Sequence, residues 1–358
     1  MTASPTPSPS AAHALDAAVL QRWLQAHLPG FEGPLNVEKF AGGQSNPTYR
    51  LQTPGARYVM RTKPGPAAKL LPSAHAIERE FRVMQALAGT GVPVPRMHVL
   101  CTDESVIGRA FYIMEYVDGR VLWDPTLPGM TPEARRAHYA DILRVLATLH
   151  RVDTAAVGLA DYGKPGNYFE RQIARWSKQY QASITDPIPE MDALMDWLPR
   201  HLPETARDER LVSVVHGDYR LDNLMFAPDA PRVVAVLDWE LSTLGHPLAD
   251  FSYHCLAWHV APGVFRGMAG LDLAALGIPS EDDYIAQYCE YTGFATPEAL
   301  RRDWPFYLAY NAFRLAAILQ GIAKRVELGI ASSAQARQSA AGARPLAELA
   351  WQLAQQTR

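Results

Sequence analysis

One polar segment between two strand-like runs constrains this chain more than any other feature. Residues 216–223, HGDYRLDN, carry one His, two Asp, one Arg and one Asn within eight positions. The runs on either side, LVSVV and RVVAVLD, are rich in β-branched residues that suit buried strands. Charged and amide side chains are costly to bury unless they are paired. The sequence therefore predicts a loop between two buried strands that holds several polar groups around one point.

The strands around this loop form a predicted hairpin. NLMF leads into the turn-prone APDAPR, and the chain then returns through RVVAVLD. The hairpin brings Asp238, at the end of the second strand, back towards Asn223, at the end of the polar segment. Carboxylate and amide oxygens are hard ligands suited to Mg²⁺, which also binds substrate phosphates. We therefore expect Asn223 and Asp238 to hold Mg²⁺.

Asp218 lies five residues before Asn223, far enough to face a different atom. The pattern His-x-Asp-x-x-x-x-Asn, followed by an apolar strand that ends in Asp, is the catalytic arrangement of kinases. In that arrangement one Asp orients the hydroxyl nucleophile, while the Asn and the second Asp hold metal. Asp218 is therefore the expected catalytic residue, and His216 is expected to brace the loop through hydrogen bonds.

Each of these residues also has a purely structural explanation. A buried Asp usually caps a helix or pairs with a cation, and an Asn often closes a turn. Asp222 is expected to support the loop or to face solvent. The joint occurrence of Asp218, Asn223 and Asp238 at this spacing favours a phosphotransferase site over these explanations.

The rest of the chain changes from strand-like to helical patterning near residue 117. Before this point there are five short strand-like runs, interrupted by one predicted helix over residues 75–87. After it, Thr131 is a predicted N-cap for a helix over residues 132–150. The five runs are LNVEKF, PTYRLQT, ARYVMRT, MHVLCT and FYIMEYV; later predicted helices include YFERQIARWSKQY, EDDYIAQYCEY and FYLAYNAFRLAAILQGIAKRVEL.

This order of elements predicts an α+β fold with two lobes. Residues 1–13 form a predicted disordered tail of Pro, Ser and Ala. Residues 14–117 form a small β-rich N-lobe, and residues 118–358 form a larger, mostly helical C-lobe. We expect a hinge at residues 114–119, because the patterning changes there.

Charge and cysteine content exclude several kinds of partner. The net charge of -3 and the pI of about 6.4 provide no basic surface for nucleic acid or an anionic membrane. No apolar run approaches the roughly 20 residues of a membrane span. The three cysteines are far apart and match no metal-ligand spacing, which favours reduced thiols. The opening residues lack the features of a secretory signal, so we expect a cytoplasmic protein.

Several motifs resemble those of a known superfamily. HGDYRLDN, VLDWE and GHPLADFSYH resemble the aminoglycoside phosphotransferase and choline kinase superfamily, which has a protein-kinase-like fold. GGQSNPTYRL, YVMRTKP, AHAIEREFRVMQAL, FYIMEYVDG and NAFRLAAILQG are similar to the branch related to the kinase-like domains fused to some acyl-CoA dehydrogenases. The resemblance covers residues 37–333, and no dehydrogenase region is expected in the short remainder. It implies Mg²⁺-dependent transfer of the γ-phosphate of ATP or GTP to a small-molecule hydroxyl.

The resemblance places the nucleotide in the N-lobe, under the loop AGGQSN. Gly42 and Gly43 permit close backbone approach to phosphate, and Gln44 and Ser45 offer polar contacts. A simple hairpin turn is the structural alternative for this Gly-Gly pair.

Arg61 holds the position at which the family has a phosphate-contacting lysine. Arginine also binds phosphate, but it is longer and differs in geometry. Lys63 lies on the same strand face and is expected to share or take this role. Glu80, on the predicted helix, is the expected partner of Arg61, whereas Glu78 is expected to be a solvated charge.

The segment FYIMEYVDG matches the connection between the lobes in the family. Met114 is expected to border the adenine slot, while Glu115 to Val117 contribute main-chain hydrogen bonds.

Two further residues take their expected roles from the resemblance. Arg220 is expected near the transferring phosphate, where a fixed cation stabilises negative charge. An ion pair with Asp222 or Asp250 is the structural alternative. Asp250 resembles the superfamily aspartate that braces the catalytic loop, so its expected role is structural.

The acceptor is expected in the C-lobe, against residues 253–262 and the helix around residues 310–320. Tyr253, Trp258, His259 and Arg314 suit an acceptor with an apolar or anionic part. Aminoglycosides are polycations and would favour an acidic cluster instead. The same side chains are also ordinary packing material. The nearest resemblance suggests a hydroxyacyl-type acceptor, including one carried on coenzyme A.

Three alternative functions stay open at this point. One is an aminoglycoside kinase or another amino-alcohol kinase. A protein kinase is disfavoured, because HGD and DWE replace HRD and DFG and no APE motif follows. A nucleotide-binding pseudokinase is disfavoured because Asp218, Asn223 and Asp238 are all present. The partners implied are a nucleotide and a hydroxylated small molecule.

Overall fold

A computed structural model describes residues 15–40, 46–64, 76–164, 166–331 and 333–357, apart from the side chains of residues 334 and 335. The chain divides into two compact units. The first, here called the sheet unit, comprises the described residues of Met1–Ala88, Val94–Asp118 and Asp238–Glu240. The second, the helical unit, comprises those of Gly89–Pro93, Gly119–Leu237 and Leu241–Arg358. The predicted α+β class is confirmed, with an antiparallel sheet in the first unit and mostly helices in the second.

The sheet unit contains a five-stranded antiparallel sheet with the strand order β1-β2-β3-β5-β4. The five strands and the helix predicted between residues 35 and 116 are therefore confirmed. The elements in chain order are α1 (Ala17–His27), β1 (Asn36–Lys39), β2 (Thr48–Gln52), β3 (Arg57–Thr62), α2 (Ile77–Leu87), β4 (Met97–Cys101) and β5 (Phe111–Glu115).

The first helix, α1, was not predicted from the sequence. Its N-terminus is capped by Asp16, whose carboxylate accepts the N–H groups of Ala18 and Val19 at 2.9 and 3.1 Å. Leu20 and Leu24 lie one helical turn apart on the buried face, and both are fully buried. This face belongs to the core cluster of the sheet unit, which also contains Leu28, Phe31, Leu51, Met60, Cys101, Phe111 and Ile113.

Helix α2 turns a carboxylate towards the protein interior. Its buried residues are Ile77, Glu80, Val83, Met84 and Leu87, whereas Phe81 is only half-buried. A buried carboxylate needs partners, and the partners of Glu80 lie on the neighbouring strands. The orientation of α2 therefore follows from polar pairing as well as from its apolar side chains.

The helical unit is built around its longest helix. The predicted helix began immediately after Pro305, but the observed helix α9 begins at Pro297 and contains Pro305 within its first turns. Its N-cap is Thr296, which accepts the N–H of Ala299 at 3.2 Å. The unit contains β6 (Arg120–Val121), α3 (Pro132–His150), α4 (Tyr168–Ser183), α5 (Pro189–Trp197), β7 (Ser213–Val215), β8 (Leu224–Phe226), β9 (Val233–Val236), β10 (Thr243–Gly245), α6 (Pro247–Cys255), α7 (Leu273–Leu276), α8 (Glu281–Thr292), α9 (Pro297–Glu327), α10 (Ala334–Ala340) and α11 (Ala343–Ala354).

Helix α9 packs against α4, α6, α10 and α11. Most of its side chains between Trp304 and Gln320 are buried. Helix α3 is capped by Thr131, as predicted, with its hydroxyl accepting the N–H of Ala134 at 3.2 Å. These two long helices support the short strands that carry the polar loop, because α3 contacts β7 and β9 and α9 contacts α6.

The predicted hairpin around the polar loop is confirmed. Strands β8 and β9 are antiparallel, with Leu224 opposite Val236. The N–H of Leu237 donates to the carbonyl of Asn223 at 2.8 Å, which extends the pairing to the end of the loop. Strand β7, which leads into the loop, pairs instead with β10.

Two further expectations concern cysteines and membranes. Cys101, Cys255 and Cys289 are all free and buried. In the part of the chain that the structure describes, none of the helices has the length and hydropathy needed to cross a bilayer.

We expect Leu24→Ala in α1 to lower the free energy of unfolding by about 3 kcal/mol, because it leaves a cavity in a packed core. Gln25→Ala, in the same helix but exposed, is the matched control and should change it by no more than about 0.5 kcal/mol. Urea denaturation measures both. Equal effects of the two substitutions would show that α1 is not part of this core.

Candidate active site

The backbone of the polar loop is held by one buried carboxylate. Asp250, in the first turn of α6, accepts the N–H of His216 through one oxygen and the N–H of Gly217 through the other, the latter at 2.8 Å. Gly217 adopts a left-handed backbone, with φ of +82°. A Cβ there would lie 2.8 Å from the carbonyl oxygen of Leu241, so glycine is required. The sharp turn before Asp218 therefore depends on both Gly217 and Asp250.

The imidazole of His216 connects the loop to the hairpin. Its Nε2 lies 2.8 Å from the carbonyl oxygen of Leu237, and its Nδ1 accepts the N–H of Asp218 at 3.2 Å. Since a carbonyl only accepts, this pattern assigns the proton to Nε2. The ring is fully buried, so its two hydrogen bonds hold the loop against the hairpin.

A histidine from α3 stabilises the charge of Asp250. The Nε2 of His150 lies 3.6 Å from Oδ2 of Asp250, and both side chains are buried. Burial alone would raise the pKa of Asp250, but interactions with His150, His216 and the N–H of Gly217 lower it below its usual value of 3.8. Asp250 therefore carries a negative charge, which His150 and the hydrogen bonds from the loop stabilise.

The carboxylate of Asp218 is held by two hydrogen-bond donors and one ion pair. Oδ2 accepts the side-chain amide of Asn223 at 2.9 Å and lies 3.2 Å from Nε of Arg220. Oδ1 accepts the hydroxyl of Tyr253 at 2.6 Å. The amide of Asn223 also donates to the backbone carbonyl of Asp218 at 2.8 Å. The loop thus fixes both the position and the orientation of this carboxylate.

Arg220 contacts two acidic residues of its own loop. Besides Asp218, it lies 3.4 Å from Asp222, whose side chain is buried and also pairs with Arg266. Asp222 therefore supports the loop and does not face solvent. The structural explanation given above for Arg220 was an ion pair with Asp222 or Asp250. The ion pair with Asp222 is present, whereas Asp250 contacts His150, His216 and Gly217.

In the sheet unit, Arg61 lies among three carboxylates. Its Nε is 2.8 Å from Glu80, its Nη2 is 2.7 Å from Asp238, and Glu240 lies 3.7 Å away. Burial alone would lower the pKa of Arg61, but the surrounding acidic groups, Glu80 foremost, raise it above its ordinary value. The arginine is therefore a permanently charged centre of this cluster.

Glu80, the expected partner of Arg61, is also bound by two neutral donors. It accepts the amide of Asn46 at 2.7 Å and the hydroxyl of Tyr112 at 3.1 Å. Burial raises the pKa of Glu80 to about 7, while Arg61 acts in the opposite direction. The carboxylate thereby connects β3, β5, α2 and the residue that follows the Gly-rich loop.

The other expected nucleotide contacts lie in or near this sheet. Lys63 pairs with Glu78 at 2.6 Å, so Glu78 is not simply solvated. The N–H of Glu115 donates to the carbonyl of Arg96 at 2.8 Å, while Met114 lies in β5 opposite Val59. The expectation of main-chain contacts to adenine now depends chiefly on Val117. Gly42, Gly43, Gln44 and Ser45 lie outside the described residues.

The two expected metal ligands have suitable donor atoms. Because the amide nitrogen of Asn223 is bound to Asp218, its Oδ1 is directed elsewhere, and within the described chain it accepts no hydrogen bond. Oδ1 of Asp238 accepts a hydrogen bond from Arg61, and the side chain of Asp238 is 39% exposed. Its backbone is left-handed, with φ of +64°. Hard oxygen donors of this kind fit Mg²⁺, which usually has few protein ligands. Among the described residues, no group of three or more His, Cys, Asp or Glu has a metal-binding arrangement.

The acceptor-site candidates separate into two groups. Tyr253 and Trp258 line a pocket beside the polar loop. His259 instead pairs with Glu281 at 2.8 Å. Arg314 is buried, donates to the carbonyl of Gly217, and stacks against the rings of Tyr253 and Trp176.

This pocket is mainly apolar, with arginine at its rim. Aromatic and aliphatic side chains such as Tyr139, Ile142 and Phe265 form its walls. Its single carboxylate lining residue, Asp222, is buried, whereas Arg220 and Arg266 are about one-third exposed. The neighbouring His254 is buried, which lowers its pKa to about 4. The pocket therefore offers apolar surface and two partly exposed arginines.

Four residues of the site were not identified from the sequence: Asn46, Tyr112, Glu240 and Arg266. Asn46 and Glu240 belong to the quoted motifs GGQSN and VLDWE, so their positions beside candidate residues were available as a signal. Tyr112 and Arg266 have no such signal, because their partners Glu80 and Asp222 are distant in sequence.

Comparisons with known proteins agree with this geometry. Residues 36–310 match the profile of the "Phosphotransferase enzyme family". The chain is 47% identical over 344 residues to mouse acyl-CoA dehydrogenase family member 10, covering 94% of this chain and 31% of the mouse protein. It therefore spans about one-third of that relative. The predicted resemblance to the phosphotransferases and to the acyl-CoA dehydrogenase branch is confirmed.

Solved structures show the same fold. A Ralstonia eutropha protein, provisionally assigned as an aminoglycoside phosphotransferase, is 60% identical with a TM-score of 0.88, covering 96% of this chain and 100% of that one. The aminoglycoside phosphotransferase APH(4)-Ia, solved with a nucleotide analogue and hygromycin B, has a TM-score of 0.60 at 15% identity, covering 93% and 98% of the two chains. The predicted protein-kinase-like fold is confirmed.

We expect Asp250→Asn to lower the free energy of unfolding at pH 7 by about 3 kcal/mol, the usual scale for removing one partner of a buried charged network. The pKa of Asp250 is lower in the folded than in the unfolded chain. Its carboxylate therefore stabilises the fold above roughly pH 4, and this contribution is lost as pH falls through the folded-state pKa.

The difference between wild type and Asp250→Asn should accordingly shrink on acidification, which urea denaturation at several pH values measures. Asp186→Asn, at an exposed position, is the control. A variant as stable as the wild type at pH 7 would contradict the bracing role of Asp250.

Proposed function

Because the chain belongs to the phosphotransferase enzyme family, we propose that it transfers the γ-phosphate of ATP or GTP to the hydroxyl of a small, partly apolar and anionic acceptor. The observation that carries this proposal is the fixed carboxylate of Asp218 beside an apolar pocket. Two hydrogen bonds and an ion pair orient the carboxylate, and the pocket shares Tyr253 and Arg220 with these contacts. A hydroxylated molecule bound in the pocket would thus lie in the helical unit together with the carboxylate of Asp218, which can accept a hydrogen bond from its hydroxyl.

Asn223 and Asp238 are the proposed Mg²⁺ ligands. Bound Mg²⁺ would neutralise phosphate charge and orient the nucleotide. Two observations support the assignment: the orientation of the Asn223 amide, which leaves its Oδ1 available, and the partial exposure of Asp238. Excess carboxylate charge around Arg61 also favours a cation near Asp238.

The proposed nucleotide contacts come from the sheet unit. Gly42, Gly43, Gln44 and Ser45 would cover the phosphates, and Val117 would meet the adenine through its main chain. Arg61 and Lys63 remain the two candidate phosphate cations, and each already has a glutamate partner. Glu80 would then orient Arg61, because the pair is buried and supported by Tyr112.

Asp218 is the proposed catalytic residue. The acceptor hydroxyl donates a hydrogen bond to its carboxylate, and the acceptor oxygen attacks the γ-phosphorus as the bond to the β-γ bridging oxygen breaks. The hydroxyl proton passes to Asp218. Since the transition state is loose, orientation of the hydroxyl contributes more than early proton removal. Arg220, which contacts Asp218, would stabilise the charge of the transferred group.

The lining of the pocket favours a hydroxyacyl-type acceptor over an aminoglycoside. A polycation would meet Arg220 and Arg266, while the carboxylate of Asp222 is already paired with both. An acyl chain matches the aromatic and aliphatic walls, and a carboxylate or phosphate of the acceptor matches the arginines. A cytoplasmic location is consistent with three free cysteines.

We expect mass spectrometry to detect phosphorylated product when the protein, Mg²⁺ and ATP or GTP are mixed with a library of hydroxylated metabolites that includes hydroxyacyl-CoA compounds. Asp218→Asn should retain nucleotide binding and lose on the order of 10²-fold in kcat, because the amide cannot take the proton. Asp229→Asn, exposed in the turn between β8 and β9, is the matched control. Turnover of aminoglycosides but not of acyl compounds would refute the proposed acceptor class.

We expect Asp238→Ala to reduce turnover by roughly 10²-fold and to raise the Mg²⁺ concentration needed for half-maximal activity. Asp229→Asn, exposed in the turn between β8 and β9, should leave that Mg²⁺ midpoint unchanged. Titration of turnover with Mg²⁺ compares the three proteins. Equal midpoints for wild type and Asp238→Ala would exclude Asp238 as a ligand.

A further inference from the structure

We propose that the hydroxyl of Tyr253 is a positioning group for phosphoryl transfer, which holds Asp218 in the orientation that receives the acceptor hydroxyl. This inference rests on the proposed function and adds a residue to it. Sequence analysis places Tyr253 in the wall of the acceptor site, a role that only its ring would serve. The structure shows a second, separate contact of its hydroxyl with the catalytic carboxylate.

The contact is short, buried and directed at one oxygen. Tyr253 lies on α6, is 5% exposed, and donates to Oδ1 of Asp218 at 2.6 Å. Oδ2 is already held by Asn223 and Arg220. Without Tyr253, the carboxylate would be held on one side only. With it, rotation of the carboxylate is restricted, and Oδ1 retains a second lone pair for the acceptor hydroxyl.

The guanidinium of Arg314 lies over the ring of Tyr253. It lies 5.0 Å from the centre of the Tyr253 ring and 5.6 Å from that of Trp176, and it donates to the carbonyl of Gly217. Among the described residues, Arg314 forms no ion pair with a carboxylate. A cation over a phenol ring draws electron density from the ring and makes its O–H a stronger donor. Arg314 therefore connects the loop backbone, the tyrosine and, through it, Asp218.

Tyr253 remains protonated under all physiological conditions. Burial, together with the negative charge of Asp218, raises the pKa of Tyr253 well above its ordinary value. It is thus a fixed donor and not a base. Because Tyr253 also lines the apolar pocket, an acceptor bound there would lie beside the residue that holds the carboxylate of Asp218.

Tyr253→Phe separates the two roles, since phenylalanine keeps the ring and removes the hydroxyl. With Mg·ATP and the acceptor found in the library screen, we expect kcat to fall about tenfold, the usual scale for losing one hydrogen bond to a charged group. The acceptor KM and the nucleotide Kd should stay within about twofold, because the ring and the nucleotide site are unchanged.

Tyr180→Phe is the matched control. This tyrosine is also fully buried, and its hydroxyl accepts the N–H of Ile188 at 3.2 Å, away from the catalytic loop. Its kcat should equal that of the wild type, whatever change in thermal stability both variants share. In an Asp218→Asn background, Tyr253→Phe should cause no further fall in kcat, because the carboxylate that it positions is absent.

Each outcome is decisive. A kcat for Tyr253→Phe equal to that of wild type, or a rise in acceptor KM alone, would overturn the positioning role and leave the proposed function intact. A tenfold fall that persists in the Asp218→Asn background would also overturn it, since the effect would not pass through Asp218. A wild-type chain that transfers phosphate to no acceptor and hydrolyses no ATP would overturn the proposed function and this inference together.

Discussion

The polar loop before Asn223 depends on the buried carboxylate of Asp250. Asp250 accepts two consecutive N–H groups, those of His216 and Gly217, and thereby fixes the backbone immediately before Asp218. His150 supports its charge from α3. A buried carboxylate without these partners would be strongly unfavourable, so loop and carboxylate require each other. The polar residues that are concentrated at positions 216–223 are therefore held by hydrogen bonds among themselves and with Asp250.

The sequence predicted the features that depend on local spacing. The loop between β7 and β8 and the hairpin of β8 and β9 follow from residues at short, regular intervals, whereas the pairing of Arg61 with Glu80 was expected from the family resemblance. The helix α1 was missed because its apolar face is short and follows a tail of Pro, Ser and Ala. The start of α9 was misplaced because proline usually marks a boundary, whereas Pro305 lies inside the helix.

Contacts between residues that lie far apart in the chain could not be predicted from the sequence. Tyr253 lies 35 residues after Asp218, and its ring and hydroxyl have separate neighbours. A pattern of residue types can place such a side chain near the site, but it cannot tell which of its atoms meets which partner. The same limit applies to Arg314, whose donation to the carbonyl of Gly217 joins residues 97 positions apart.

Arginine at position 61, where the family pattern has lysine, matches the surroundings that the structure gives it. A guanidinium is planar and has five donors, so it can contact Glu80 and Asp238 through different nitrogens while Glu240 lies nearby. An ammonium group is a compact point charge and would not span these partners in the same way.

The charges at the rim of the acceptor pocket also affect how fast a ligand arrives. Arg220 and Arg266 are equal in number to the carboxylates that pair with them, Asp218 and Asp222, but the arginine side chains are 31% and 34% exposed against 19% and 5% for the carboxylates. The charges that an approaching molecule meets first are therefore the positive ones. Anionic molecules are guided to such a mouth during diffusion, and their association rate constant falls as added salt screens the field. Ionic strength would thus alter capture of the acceptor without changing the chemistry at Asp218.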